Sequence, residues 1–109
     1  MEHQEVAILR PGTRLRSQTC TTEIVVIRPG QGTVRLTCGG EPMIDIASQS
    51  AGSHTAAAGL DTGSVLGKRY TAVSDDTFEV LVTRAGAGTL ADGMTPLIFK
   101  KAKPLPASD

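Results

Sequence analysis

The chain has 109 residues, with 11 Lys and Arg set against 11 Asp and Glu. That length suits one compact domain, and the balanced charge gives no electrostatic reason to seek nucleic acid or an anionic membrane. Tyr70, Phe78 and Phe99 are the whole aromatic complement, which leaves little for base stacking and requires an aliphatic core. No apolar run approaches the roughly 20 residues of a membrane span. The start, Met1-Glu2-His3-Gln4-Glu5, is acidic and polar, unlike a secretory leader. The expected compartment is the cytoplasm, where thiols stay reduced.

In chain order the sequence reads as strand and turn. Residues 6–9 and 13–16 are short candidate strands split by the Pro11-Gly12 turn. Residues 23–28 form a run rich in β-branched side chains, ended by Pro29-Gly30, and residues 33–37 form a strand after the Gly30-Gln31-Gly32 turn. Residues 47–64 are rich in Ala, Gly, Ser and Thr and lack periodicity, so they read as a linker or surface loop. Residues 78–84 and 89–91 repeat the pattern around Gly86-Ala87-Gly88, and residues 97–101 form the last strand. Glycine at both turns supplies the positive φ that tight hairpins need. The tail, residues 103–109, is expected to be extended.

The second half restates the first. Thr21, Glu23, Val26, Arg28, Gly30, Gly32 and Thr33 recur at one constant offset as Thr77, Glu79, Val82, Arg84, Gly86, Gly88 and Thr89. The organisation is therefore a single domain over residues 1–109. A first repeat spans 12–43 and carries cysteine; a linker loop spans 44–66; a cysteine-free second repeat spans 67–98; the last strand and tail span 99–109. Units below about 40 residues rarely fold alone, so the two should pack together. Ile24 to Ile27, Val80 to Val82, Leu36, Leu90 and Ile98 are the expected shared core.

Most motifs that suggest catalysis do not hold. Gly30-Gln31-Gly32 and Gly86-Ala87-Gly88 precede strands, whereas a phosphate loop opens a helix. Glu23 and Glu79 could face each other as a carboxylate couple; the plainer reading puts each at a strand start on its solvent side, beside an arginine. Asp75 and Asp76 read as turn residues, and Asp45, Asp61 and Asp92 lack calcium-loop spacing. Ser53-His54-Thr55 sets a hydroxyl beside an imidazole with nothing to orient them. No enzyme activity is expected.

The cysteines carry the remaining chemistry. Gly12-Thr13-Arg14-Leu15-Arg16-Ser17-Gln18-Thr19-Cys20, the strand, the Gly-Gln-Gly-Thr turn and Cys38-Gly39-Gly40-Glu41-Pro42-Met43 together resemble desulforedoxin and the N-terminal module of desulfoferrodoxin. The resemblance implies an all-β fold of two tandem desulforedoxin-like units with internal pseudo-two-fold symmetry, in place of the family's homodimer. It also implies four metal-ligand positions: Ser17, Cys20, Cys38 and Gly39. Two of these are thiols, and a rubredoxin-type iron centre needs four. In the second repeat the knuckle reads Ala72-Val73-Ser74-Asp75-Asp76, without any thiol.

Cys20 and Cys38 then have three readings. They are relict semi-buried thiols, or a redox-sensitive disulfide, or a zinc site completed by His54, His3, an acidic residue or a partner. The expected function is a non-catalytic accessory module, without a cofactor, that docks on a larger protein through Cys20, Cys38, Gly39 and Met43. The alternative is a metal or redox protein that uses Cys20 and Cys38 as a two-thiolate zinc or iron site or a switchable dithiol.

Overall fold

Runs of β-branched residues punctuated by glycine give strands and no helix among the described residues of this computed structural model, which are 9–48 and 55–101. Five strands precede residue 49: β1 (Arg14–Arg16), β2 (Glu23–Pro29), β3 (Leu36–Cys38), β4 (Glu41–Pro42) and β5 (Ile44–Asp45). Five follow: β6 (Arg69–Ala72), β7 (Asp75–Arg84), β8 (Leu90–Asp92), β9 (Thr95–Pro96) and β10 (Ile98–Phe99). All pairings are antiparallel. One sheet has the order β10-β6-β7-β2-β1-β5 and the other β4-β3-β8-β9. With β1 matched to β6, β2 to β7 and so on, each order reads the same from either edge.

The pairing of β2 with β7 joins the two halves. Val25 lies opposite Leu81, flanked by Ile24 opposite Val82 and Val26 opposite Val80. Further out, Glu23 faces Arg84 and Arg28 faces Glu79. Alternation along these strands sends Ile24, Val26, Val80 and Val82 inward. They meet Leu15, Tyr70 and Phe78 from the same sheet and Leu36, Cys38 and Leu90 from the other, so both sheets share one core. No helix among the described residues is long and apolar enough to cross a membrane.

Several expectations need correction. Ile98 is 49% exposed, and its neighbour Leu97 is buried instead, at 7%. The Leu97 amide bonds the Leu90 carbonyl at 2.9 Å, which sets the phase of β10, and a one-residue shift in phase exchanges the faces. Glu79 is also buried, on the inner stretch of β7, and its carboxylate is compensated by Arg69 at 3.3 Å; Glu23 is paired with Arg84 at 3.6 Å. The two glycine turns differ. Gly30 and Gly32 have φ of 70° and 82°, whereas neither Gly86 nor Gly88 has a positive φ.

Residues 55–66 hold none of these strands, in keeping with a surface loop, and backbone bonds tie them to the sheets. The Ala57 amide bonds the Gly39 carbonyl at 2.8 Å, the Thr89 amide bonds the Leu60 carbonyl at 2.9 Å, and Ser64 bridges to Gly86. Leu60 and Ser64 are buried in consequence. This strap covers one end of the sheet that holds β3 and β8. Asp75 is no turn residue: it opens β7, and its carboxylate accepts the Gln31 amide at 2.7 Å. The candidate strand at 6–9 falls largely, and the tail at 103–109 wholly, outside the described residues.

Candidate dithiol site

Cys20 ends the turn between β1 and β2, and Cys38 closes β3. Their sulfurs stand 3.8 Å apart, both as thiols. Cys38 is wholly enclosed and Cys20 is half-buried. A turn of one sheet and a short strand of the other thus deliver one pair of sulfurs.

Ser17 shapes the turn that presents Cys20. Its hydroxyl oxygen accepts from the backbone amides of Thr19 at 3.0 Å and Cys20 at 3.2 Å, a local side-chain cap that competes with any regular strand here. It lies 3.4 Å from Cys20 Sγ. Thr19 gives its own hydroxyl proton to the Cys38 carbonyl at 3.2 Å, so Ser17 donates to Thr19 Oγ1 at 3.1 Å.

A second set of bonds closes a ring around the sulfur. Ser64 Oγ donates to the Gly88 carbonyl at 2.7 Å, Thr22 Oγ1 donates to Ser64 Oγ at 3.1 Å, and the Gly88 amide donates to Cys20 Sγ at 3.2 Å. Thr22 Oγ1 stands 3.2 Å from the same sulfur. With the Ser17 proton directed to Thr19 and the Thr22 proton to Ser64, the single proton of the neutral Cys20 thiol goes to Ser17 Oγ. When Cys20 ionises, Thr22 and Ser17 can each swing a proton onto it, because a hydroxyl rotates to suit its surroundings.

The two thiols are driven apart in acidity. Burial pushes Cys20 up, but the Ser17 and Thr22 hydroxyls and the Thr22 and Gly88 backbone groups outweigh it, and its pKa falls from 9.0 to about 6. Burial dominates at Cys38 and, with the neighbouring Cys20 charge, raises it to about 11. One sulfur is poised as a thiolate and the other is held as a thiol.

Backbone packing fixes this geometry. A β-carbon on Gly88 would stand 2.9 Å from Cys38 Sγ and 3.2 Å from Cys20 Sγ. One on Gly86 would collide with the Thr22 hydroxyl and stand 2.8 Å from Cys20 Sγ. These glycines serve close approach of backbone to sulfur, not a left-handed turn. In the other half Gly30 is pressed in the same way against Asp75 and Phe78. A carboxylate there holds the facing loop's amide as Cys20 holds Gly88.

The surface expected to dock a partner is not a surface. Cys38, Gly39 and Met43 are buried, Gly39 beneath the strap, and Cys20 alone of the four is partly open. The site does not fit a four-thiolate iron centre. The sulfur separation equals the edge of a tetrahedron with metal–sulfur bonds of about 2.3 Å. Yet the other two corners offer the Ser17 hydroxyl and Gly39, where any side chain would clash with Thr19. Among the described residues no third Cys, His, Asp or Glu joins the pair; His3 and His54 lie outside them.

Thr22, Ser64, Gly86 and Gly88 were not anticipated as parts of this site. A signal for Thr22 existed: it occupies the position of Phe78, so one half is polar where the other buries an aromatic ring. Ser64 had no local signal. No family model, curated protein or solved structure matches this chain.

Proposed function

We propose that the protein is a thiol redox protein in which Cys20 and Cys38 form a reversible dithiol–disulfide couple. The sulfur separation of 3.8 Å across one partly open and one enclosed side chain carries this reading. A closure of under about 2 Å brings the sulfurs to bonding distance. Oxidation forms one S–S bond, breaks two S–H bonds and passes two electrons and two protons to the oxidant. The donors around Cys20 favour the thiolate that such exchange requires. The docking role expected from the sequence has lost its assigned surface.

The test is equilibration of purified protein in dithiothreitol redox buffers, followed by alkylation and mass spectrometry. Elemental analysis of the same sample runs beside it. The expected outcome is a monomer that passes in one step from two alkylatable thiols to none, with no stoichiometric metal. Sulfurs that titrate independently in every buffer would refute the couple. So would zinc or iron bound at one equivalent and lost on substitution of either cysteine, which would establish the metal reading instead.

A further inference from the structure

The geometry points to a division of labour within this couple: Cys20 attacks, Cys38 resolves, and the oxidant is a small hydroperoxide, not a protein or peptide disulfide. This rests on the dithiol reading. The division follows from access. Cys38 has no exposed surface, while Cys20 sits half-open on its turn. The Gly39 carbonyl beside Cys38 is bonded by the strap at Ala57, which closes the approach from that side. An incoming oxidant meets Cys20 first.

The class of oxidant follows from the donors. Cys20 Sγ is surrounded by the Gly88 amide at 3.2 Å, the Thr22 hydroxyl at 3.2 Å and the Ser17 hydroxyl at 3.4 Å. Each hydroxyl has a second acceptor within reach, Ser64 for Thr22 and Thr19 for Ser17, so each can turn its proton without leaving a partner stranded. Oxygen atoms of a hydroperoxide are strong acceptors and gain from such donors as charge builds on the departing oxygen. The sulfur leaving group of a disulfide is a weak acceptor and gains little. Backbone at Gly86 and Gly88 stands so close to the sulfur that even a β-carbon would not fit, which favours a small oxidant over a chain-bound one.

The steps balance. The Cys20 thiolate attacks the terminal, hydroxyl oxygen of ROOH; an S–O bond forms and the O–O bond breaks. The departing RO⁻ takes a proton from water and leaves as ROH, and Cys20 becomes the sulfenic acid. The Cys38 sulfur, 3.8 Å away, then attacks Cys20 Sγ. The S–S bond forms, the S–O bond breaks, and the Cys38 proton leaves with the hydroxyl as water. In sum, ROOH and two thiols give ROH, water and the disulfide.

The experiment exposes the reduced wild-type protein to equal concentrations of hydrogen peroxide and oxidised glutathione and follows the intramolecular disulfide. It also traps sulfenic acid with dimedone in Cys38→Ser and Cys20→Ser. Hydrogen peroxide should act at least about tenfold faster than oxidised glutathione, and the adduct should form on Cys20 at least about tenfold faster than on Cys38. Thr22→Val should slow the peroxide reaction more than the glutathione reaction. A faster reaction with glutathione, or an adduct mainly on Cys38, overturns this inference and leaves the couple standing. Formation of no disulfide with either oxidant, or with dithiothreitol buffers, removes the couple itself. The wild-type comparison decides the matter even where a variant fails to fold.

Discussion

Cys20 and Cys38 have the same side chain and opposite acidities, and the difference lies in what touches each sulfur. That difference has a sign that can be measured in the reduced protein. The folded pKa of Cys20, about 6, lies below its ordinary 9.0, so between those values the unfolded chain binds more protons. Stability from Cys20 therefore rises from pH 6 to 9 and is lost as pH falls back through 6. Cys38 runs the other way: its contribution is whole below 9.0 and is lost as pH climbs toward 11. Thermal melts should show the advantage of wild type over Cys20→Ser growing across the first window; a constant difference would show that the donors do not stabilise the thiolate. Gly88→Ala tests the packing. Its β-carbon would press on both sulfurs, and the expected loss is about 1–3 kcal/mol in denaturant melts. Retained stability would mean that the loop moves aside cheaply.

At the scale of elements, β10 shows how one backbone bond settles what a pattern leaves open. Leu97, Ile98 and Phe99 form an apolar run in which alternation has two phases. The bond from Leu97 to Leu90 chooses the phase that buries Leu97. Phe99 is left half-open but stacks on Tyr70, ring centroids 5.1 Å apart. Leu97→Ala should cost about 2–4 kcal/mol, and Ile98→Ala less than about 1 kcal/mol. Equal costs in chemical denaturation would place the phase of this strand in question. The strap follows the same logic. Polar composition reads as a loop, yet Leu60 and Ser64 pin it, because the Ala57 and Ser64 amides bond the Gly39 and Gly86 carbonyls and the Leu60 carbonyl accepts the Thr89 amide.

Across the whole molecule, β2 and β7 form the seam on which both halves depend. The pairs on either side of Val25 and Leu81 are like for like: Ile24 with Val82, Val26 with Val80, then Glu23 with Arg84 and Glu79 with Arg28. One core cluster draws on both sheets and both halves, so neither half has a core of its own. Unfolding should be a single transition with coincident fluorescence and circular-dichroism midpoints. Peptides spanning residues 9–48 or 55–101 alone should give the spectra of unfolded chains. A folded half in isolation, or two separate transitions, would show that the seam does not hold the molecule together.

The sequence alone determined the all-β class, the presence of strands over 23–28 and 78–84, and the placement of both thiols before residue 49. These are local properties: strand formation follows from β-branched side chains and glycine punctuation within a short window. Tertiary structure alone decided that Cys38, Gly39 and Met43 lie buried, that Ser64 of the strap belongs to the site, and that Gly86 and Gly88 face sulfur. The Thr22–Ser64 bond joins positions 42 apart in sequence, and the Gly88–Cys20 bond joins positions 68 apart. A sulfur's acidity and access are set by whatever surrounds it in space, and no window along the chain contains those neighbours.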